Sequence, residues 1–410
     1  MGQVGVKILQ VNNYGYIRGG SDRYFADLSD LLVEKGHSVA ALVTRDERNA
    51  VPAAWEVRGF QPENVRATDV LRYFYSFDAK KVAQQLVSEW KPDLVHLHIY
   101  YGQITPSILG VFRSEGIPIV QTLHEYKLLC PVATMVRQGQ TCDFCCNGAF
   151  WNAAVNRCNR GSFMRSVVTS LEAYSSRWMG AVDDVDHFIA VSEFVRNTMI
   201  RYGINEQAIS TVHNFIKAAT LVPSFQVGEY FLYVGRIEEI KGIRTLLSAM
   251  GQVPGKLVVV GDGEILSELK EEVGRRALNV DFVGFRSGKE LHDLIRGSRC
   301  VIVPSEWNET FGLIVLEANA LGKPVIASRI GGMQEVVRSG ENGILFEAGN
   351  VEQLVKALEW VRQNPEQAVA MGRAGRKLAE TVFGKDEHYR KIMAIYRRLT
   401  NSYVPSNHRA

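Results

Sequence analysis

The sequence predicts an α/β protein built from two doubly wound, Rossmann-like halves that face each other across a cleft. Short apolar runs rich in β-formers alternate with amphipathic helical stretches along most of the chain. The runs are apolar at successive positions rather than alternate ones, as strands covered by helices on both faces must be. The pattern breaks at an irregular stretch, "NFIKAATLVPSFQVGEY" (214–230), and then restarts; 410 residues suit two cores rather than one.

In chain order, "VKILQVNN" (6–13) reads as the first strand. "GGSDRYFADLSDLLVEKG" then sets Phe25, Leu28, Leu31 and Leu32 on one helical face, with Gly36 as the stop. Strands follow at "SVAALVT" (38–44), "DLVHLHI" (93–99), "IPIVQTL" (117–123) and "HFIAVS" (187–192), giving a first half at 1–217. A linker spans 218–229. The second half, 230–386, has strands at 230–236, 256–263, 280–285, 300–305 and 324–328. Helices are expected between them at 242–250, 265–278, 289–298 and in "FGLIVLEANALG". A last helix, 387–400, lies past the end of that half and is expected to return to the first.

Composition narrows the function. The chain is 46% hydrophobic and 22% charged, as a soluble globular protein is. A net charge of +3 excludes a general nucleic-acid surface, so any phosphate recognition is local. The first residues carry no apolar leader and no run reaches the length of a membrane span, so a cytoplasmic protein is expected. Five of six cysteines fall within 130–158, and Cys300 stands apart. In a reducing compartment such a group points to metal binding or to plain thiols.

Ligands of open α/β sheets bind outside the carboxyl ends of the strands. There, "VGRIEEIKGI" offers Arg236 and Lys241 at a helix entrance, between Gly235 and Gly242, a pairing that suits a diphosphate. The plainer reading is two solvated loop charges. "VVVGDGE" brings Gly261 and Gly263, the start of a dinucleotide fingerprint whose third glycine is replaced by Leu266, which weakens a nicotinamide reading. "NETFGLIVLEANALGKPVIAS" (308–328) sets Glu309 at a helix entrance and Glu317 inside the helix. Phe311, Gly312 and Leu313 between them supply helix N-terminal amides. An ionised carboxylate accepts both hydroxyls of a cis-diol, so this pattern suits a sugar at each end of a diphosphate. The plainer readings are a helix-start acid and a surface glutamate. His124 ends a strand where a cleft residue would sit; His96 and His98 share one strand face and read as mostly structural.

These motifs resemble the signature of glycosyltransferase family 4, retaining enzymes of GT-B fold that use nucleotide sugars. The Glu-x7-Glu of Glu309 and Glu317 carries the likeness. "YVGRIEEIKGI", "VVVGDGE", the glycine loop "GGSDRYF", "TLHEYKLLCP", "AVSEFVRN" and "VHNFI" follow in the family's order. The resemblance implies that Arg236 and Lys241 neutralise the donor diphosphate in place of a metal, so no cofactor is required. It implies that Glu317 binds the ribose and that Glu309 faces the transferred sugar, as electrostatic partner or as nucleophile. Phe311, Gly312 and Leu313 would give amides to sugar and phosphate, with Gly261 and Gly263 beside the nucleotide. Gly19 and Gly20 would cap the diphosphate from the first half, and His124 would bond the sugar and the leaving phosphate.

Two stretches remain. Cys130, Cys142, Cys145 and Cys158 could hold a structural zinc, with Cys146 as a further thiol. "FWNAAVNRCNRGSFMRSVVTSLEAYSSRWM" (150–179) mixes aromatics with four arginines against one acid. It reads either as an amphipathic helix covering the first half or as a peripheral membrane patch. Together these readings predict a cytoplasmic, retaining, metal-independent hexosyltransferase. It would move sugar from a UDP- or GDP-sugar to a glycan or lipid-linked glycan in cell-surface or exopolysaccharide synthesis. A transferase acting on a small metabolite or sugar phosphate, and a silent nucleotide-sugar-binding partner, are the alternatives.

Overall fold

The structure, a computed structural model, describes residues 5–51, 54–59 and 67–402. The first four residues of the predicted first half lie outside them.

The first sheet is seven-stranded and parallel, in the order β3-β2-β1-β4-β5-β8-β9. Its strands are β1 (Lys7–Val11), β2 (Ser38–Thr44), β3 (Ala54–Val57), β4 (Leu94–Leu97), β5 (Ile119–Leu123), β8 (His187–Ala190) and β9 (Ile209–Thr211). A two-stranded hairpin, β6 (Val136–Arg137) and β7 (Gln140–Thr141), lies in the cysteine stretch. The helices of this half are α1 (Gly20–Glu34), α2 (Ala67–Phe74), α3 (Phe77–Trp90), α4 (Leu109–Ser114), α5 (Trp151–Val155), α6 (Phe163–Trp178) and α7 (Glu193–Arg201). The second sheet runs β12-β11-β10-β13-β14-β15, also parallel. Its strands are β10 (Tyr230–Val234), β11 (Lys256–Val260), β12 (Val280–Gly284), β13 (Ser298–Val303), β14 (Val325–Ser328) and β15 (Gly343–Phe346). The helices around it are α8 (Ile243–Met250), α9 (Leu266–Arg275), α10 (Gly288–Gly297), α11 (Leu313–Ala320), α12 (Met333–Val336), α13 (Val351–Gln363) and α14 (Pro365–Thr381).

Both sheets reverse strand order beside their first strand, between β1 and β4 and between β10 and β13. Loops leaving these strands diverge at their carboxyl ends, which opens a crevice at each reversal. The loop after β1 leads to Gly19 and Gly20, and β4 is followed by His98. In the second sheet, β10 is followed by Arg236 and Lys241, and β13 by Glu309.

The apolar face predicted for α1 is the buried one: Phe25, Leu28, Leu31 and Leu32 are all in the core. The predicted strands are present, most of them one to three residues shorter. Short edge strands β3, β9 and β15 were not expected from the sequence; β3, "AWEV", carries a charge and too little apolar length to signal itself.

After α14 the chain crosses back. Ile216 pairs with Gly384, and α15 (Lys385–Ser402) lies on the first half. Ile392, Met393 and Tyr396 are buried with Ile8, Tyr24, Leu94 and Val120, each burial contributing about 2 kcal/mol. Tyr396 Oη meets His96 Nδ1 at 2.6 Å, and Tyr24 Oη meets His388 Nε2 at 3.1 Å. His96, bonded also to Thr122 Oγ1 at 2.7 Å, is a core histidine that burial holds well below its usual pKa.

Candidate active site

The second-half loops fit together by glycine. A Cβ on Gly242 would stand 1.8 Å from Pro304 O, and one on Gly261 would stand 1.9 Å from Gly235 O. A Cβ on Gly263 would meet Ile237 O at 2.1 Å. The neighbour that demands glycine at these positions is another loop of the chain, where the sequence suggested room for a nucleotide.

That packing turns Lys241 inward. Its Nζ lies 2.7 Å from Glu309 Oε1 and 4.8 Å from the centre of the Trp307 ring. Ser305 Oγ donates to the same carboxylate oxygen at 2.7 Å. Burial pushes the Glu309 carboxyl up, but the Lys241 charge and the hydrogen bonds from Lys241 and Ser305 outweigh it, so its pKa falls below the ordinary range. The Gly331–Gly332 turn backs this loop: Gly332 N–H donates to Glu309 O at 2.8 Å, and a Cβ on Gly331 would stand 2.4 Å from that oxygen. Arg236 is not part of this pair. Its side chain is 68% exposed, and its guanidinium pairs with Glu238 at 2.9 Å.

Gly312 caps α11 at φ +100°, where a Cβ would also strike Met333 Sδ at 2.4 Å, so only glycine fits. Among the described residues, no acceptor meets the amides of Phe311, Gly312 or Leu313, and Val315 N–H is the first tied into the helix, to Gly312 O. The Phe311 ring is buried between His213 and Phe383. Glu317 is buried rather than a surface glutamate, and its Oε1 lies 3.0 Å from Arg23 Nη1 of α1. Burial raises its pKa, and the Arg23 charge offsets this in part.

On the first-half side, His124 Nε2 lies 3.1 Å from His98 Nδ1, with the rings stacked at 5.4 Å. His98 Nε2 lies 2.9 Å from Gln10 Oε1. The tautomers follow from the far end of this chain. Ser29 Oγ donates to Phe25 O and so accepts from Gln10 Nε2. Gln10 Oε1 therefore faces a proton on His98 Nε2, His98 Nδ1 accepts, and His124 Nε2 carries the donated proton. Burial lowers the His124 pKa to about 3. The ring is neutral at pH 7, with Nδ1 as an acceptor. In that form Nδ1 can take a hydrogen bond from a sugar hydroxyl but cannot donate one to a phosphate. Beside it, a shallow recess is lined by His98, Tyr101, Gln121, His124, Glu125 and Lys127. Glu125 was not singled out from the sequence. Burial raises its pKa, offset by the charges of Lys127 and Arg236. Lys127 is engaged by Glu172 at 2.5 Å.

The two halves touch directly around 308–310. Tyr126 Oη donates to Asn308 O (2.9 Å), Ser192 Oγ to Thr310 O (2.7 Å), and Thr310 Oγ1 to His124 O (3.1 Å). Gly20 faces Leu313, whose Cδ1 would lie 3.0 Å from a Cβ there, whereas a Cβ on Gly19 would meet nothing within 4 Å. Glu335 also joins the halves. Its carboxylate accepts the amides of Glu193 and Phe194, each at 2.8 Å, and lies 3.0 Å from His213 Nε2. A second-half glutamate thus caps first-half α7. Its only sequence signal was the Ser-Glu-Phe helix start, which says nothing of a distant acid.

The geometry of the cysteine stretch lends the zinc reading no support. All six cysteines are free thiols, and among the described residues no group of three or more His, Cys, Asp or Glu is placed to hold a metal. Burial pushes the Cys145 and Cys146 thiols up to about 12. No helix among the described residues is long and apolar enough to cross a membrane.

A family model described as Glycosyltransferase Family 4 matches residues 18–219, and one described as Glycosyl transferases group 1 matches 223–378. An uncharacterized glycosyltransferase of Methanocaldococcus jannaschii is 27% identical over 224 residues, 54% of this chain and 62% of that one. A D-inositol 3-phosphate glycosyltransferase of Mycolicibacterium paratuberculosis is 35% identical over 182 residues, 42% of this chain and 41% of that one. The match thus spans about half the length of these two relatives (62% and 41%). A D-inositol 3-phosphate glycosyltransferase of Catenulispora acidiphila is 26% identical over 332 residues, 74% of this chain and 72% of that one. Among solved structures, sucrose-phosphate synthase from Thermosynechococcus elongatus superposes with TM-score 0.72 at 18% identity, covering 97% of this chain and all of that one. Anabaena HepE in complex with UDP-glucose superposes with TM-score 0.68 at 20% identity, covering 96% of this chain and 100% of that one. At these identities the structures speak to fold alone. With two collinear family models across both sheets, the chain belongs to the glycosyltransferases of family-4 type and GT-B fold.

Proposed function

We propose that the chain transfers a hexose-type sugar from UDP-sugar to a hydroxyl of a glycan acceptor, with retention and without a metal. The carrying observation is the Lys241–Glu309 pair at the second crevice, laced to the His124 strand end by Thr310. Residues 230–386 are the donor side and 1–217 the acceptor side, joined through 218–229. A UDP-sugar is the donor to test first, since Anabaena HepE, of the same fold, is in complex with UDP-glucose.

In this reading Glu317 takes the ribose hydroxyls, and the amides of Phe311, Gly312 and Leu313 receive donor oxygens. Lys241 and Arg236 offset charge on the departing diphosphate. The donor C1–O bond breaks as the acceptor oxygen bonds C1 on the same face. The leaving phosphate oxygen takes the acceptor's proton. Glu309, held by Lys241 and Ser305, acts as a fixed negative charge beside the developing cation rather than as a nucleophile. His124 Nδ1 accepts a sugar hydroxyl, and Glu125 orients the acceptor. A small sugar phosphate is the second reading, favoured by the names of the inositol-phosphate relatives. Against it, Lys127 in the pocket wall is already paired with Glu172 while Glu125 adds negative charge.

A thermal-shift screen of UDP- and GDP-sugars tests the donor. Ligand at a hundred times its Kd should add about 2.7 kcal/mol, and UDP should be released slowly from the sugar that binds. Glu317→Ala should weaken UDP binding by about 10- to 100-fold, the loss of hydrogen bonds to a charged group, as read by calorimetry. Unchanged affinity would remove Glu317 from the site.

A further inference from the structure

Helix α6 is inside out. Its buried residues are Ser166, Thr169, Ser170, Glu172, Ala173 and Ser176. Those hydroxyls are satisfied within the helix: Ser166, Thr169 and Ser170 donate to carbonyls four residues back, and Ser176 donates to Glu172. Glu172 pairs with Lys127. The outward face is apolar. Met164, Leu171 and Trp178 repeat every seven residues, two helical turns, and are 69%, 53% and 88% exposed. Phe163 on the same helix and Trp151 and Val155 on the adjacent α5 widen the face. Of the fifteen exposed large apolar side chains among the described residues, eight lie between Phe144 and Trp178. Clustering of this kind marks a surface that something covers.

The charge on this face says what. Arg157, Arg165 and Arg177 are exposed, and among the described residues none forms a salt bridge; Arg160 reaches only Glu264, at 3.4 Å. Between 144 and 182 the one acid is the buried Glu172. A second copy of the chain bound through the same face would set arginine against arginine. An apolar stripe ringed by unneutralised arginine instead matches the interface of an anionic bilayer, where such helices lie in the plane of the headgroups.

We propose that the α5–α6 face docks on an anionic lipid surface, with Met164, Leu171 and Trp178 in the interface and Arg157, Arg165 and Arg177 at the headgroups. The inner face of α6 holds Lys127 in the pocket beside His124, so docking would place that pocket next to the membrane. The proposal does not depend on the donor chemistry above.

Vesicle flotation of the full chain tests it. The protein should float with vesicles rich in phosphatidylglycerol and much less with phosphatidylcholine alone. Arg157→Gln/Arg165→Gln/Arg177→Gln should lower partitioning by about 100-fold. Leu171→Glu/Trp178→Glu should abolish it while keeping the wild-type melting temperature, since both side chains are exposed. No flotation of the wild type with anionic vesicles would overturn the proposal, as would flotation unchanged in both variants. So would a wild-type dimer that Leu171→Glu converts to monomer, which would make the face a contact between copies.

Discussion

Lys241→Met is expected to reduce transfer by about 1,000-fold and to destabilise the fold by about 3–5 kcal/mol at neutral pH. Among the described residues, the substitution leaves the buried Glu309 carboxylate with the Ser305 hydroxyl alone to support its charge. It also removes a cation from the proposed diphosphate site. The stability loss carries a pH signature. In the wild type the Glu309 pKa is depressed, so its contribution is present above the ordinary glutamate value of 4.5 and fades as pH falls through the lower folded value. In Lys241→Met burial dominates and the folded pKa rises, so that variant gains stability as pH falls toward 4.5. The gap between the two proteins should therefore narrow on acidification from neutral pH, as measured by urea unfolding at each pH. A gap that widens would mean that Lys241 acts elsewhere.

Glu335→Ala should loosen the contact between the halves by about 2–3 kcal/mol, the loss of two amide hydrogen bonds and one to His213. A larger radius of gyration in X-ray scattering and at least a tenfold loss of transfer are the expected results. Burial raises the Glu335 pKa, but the bonds from His213, Glu193 and Phe194 outweigh it and leave it depressed. The contact should thus hold above about pH 4.5 and weaken in the wild type as pH falls through the folded value. Glu335→Gln should already be loose at neutral pH and change little in that window. A variant as compact and active as the wild type would show that Ser192, Tyr126 and Thr310 suffice to join the halves.

Much was legible in the chain itself because strand and helix periodicities are local. The buried face of α1, the parallel strands and the break between the two sheets follow from spacings within a few residues. So does the placing of Arg236, Lys241 and Glu309 in loops after strands and of Glu317 within a helix. The sequence could not say who pairs with whom. Lys241 answers Glu309 and Arg236 answers Glu238, two cations five positions apart in the same loop yet in different surroundings. Arg23 on Glu317, Glu335 on α7 and the Gln10–His98–His124 chain each join residues far apart along the chain, so no local pattern records them. The glycines at 242 and 261 were visible as glycines, but what they make room for is another loop. For α6 the sequence showed amphipathicity without direction. Hydrophobic periodicity gives the width of an apolar stripe, and only the packing of neighbours decides whether that stripe faces the core or the solvent.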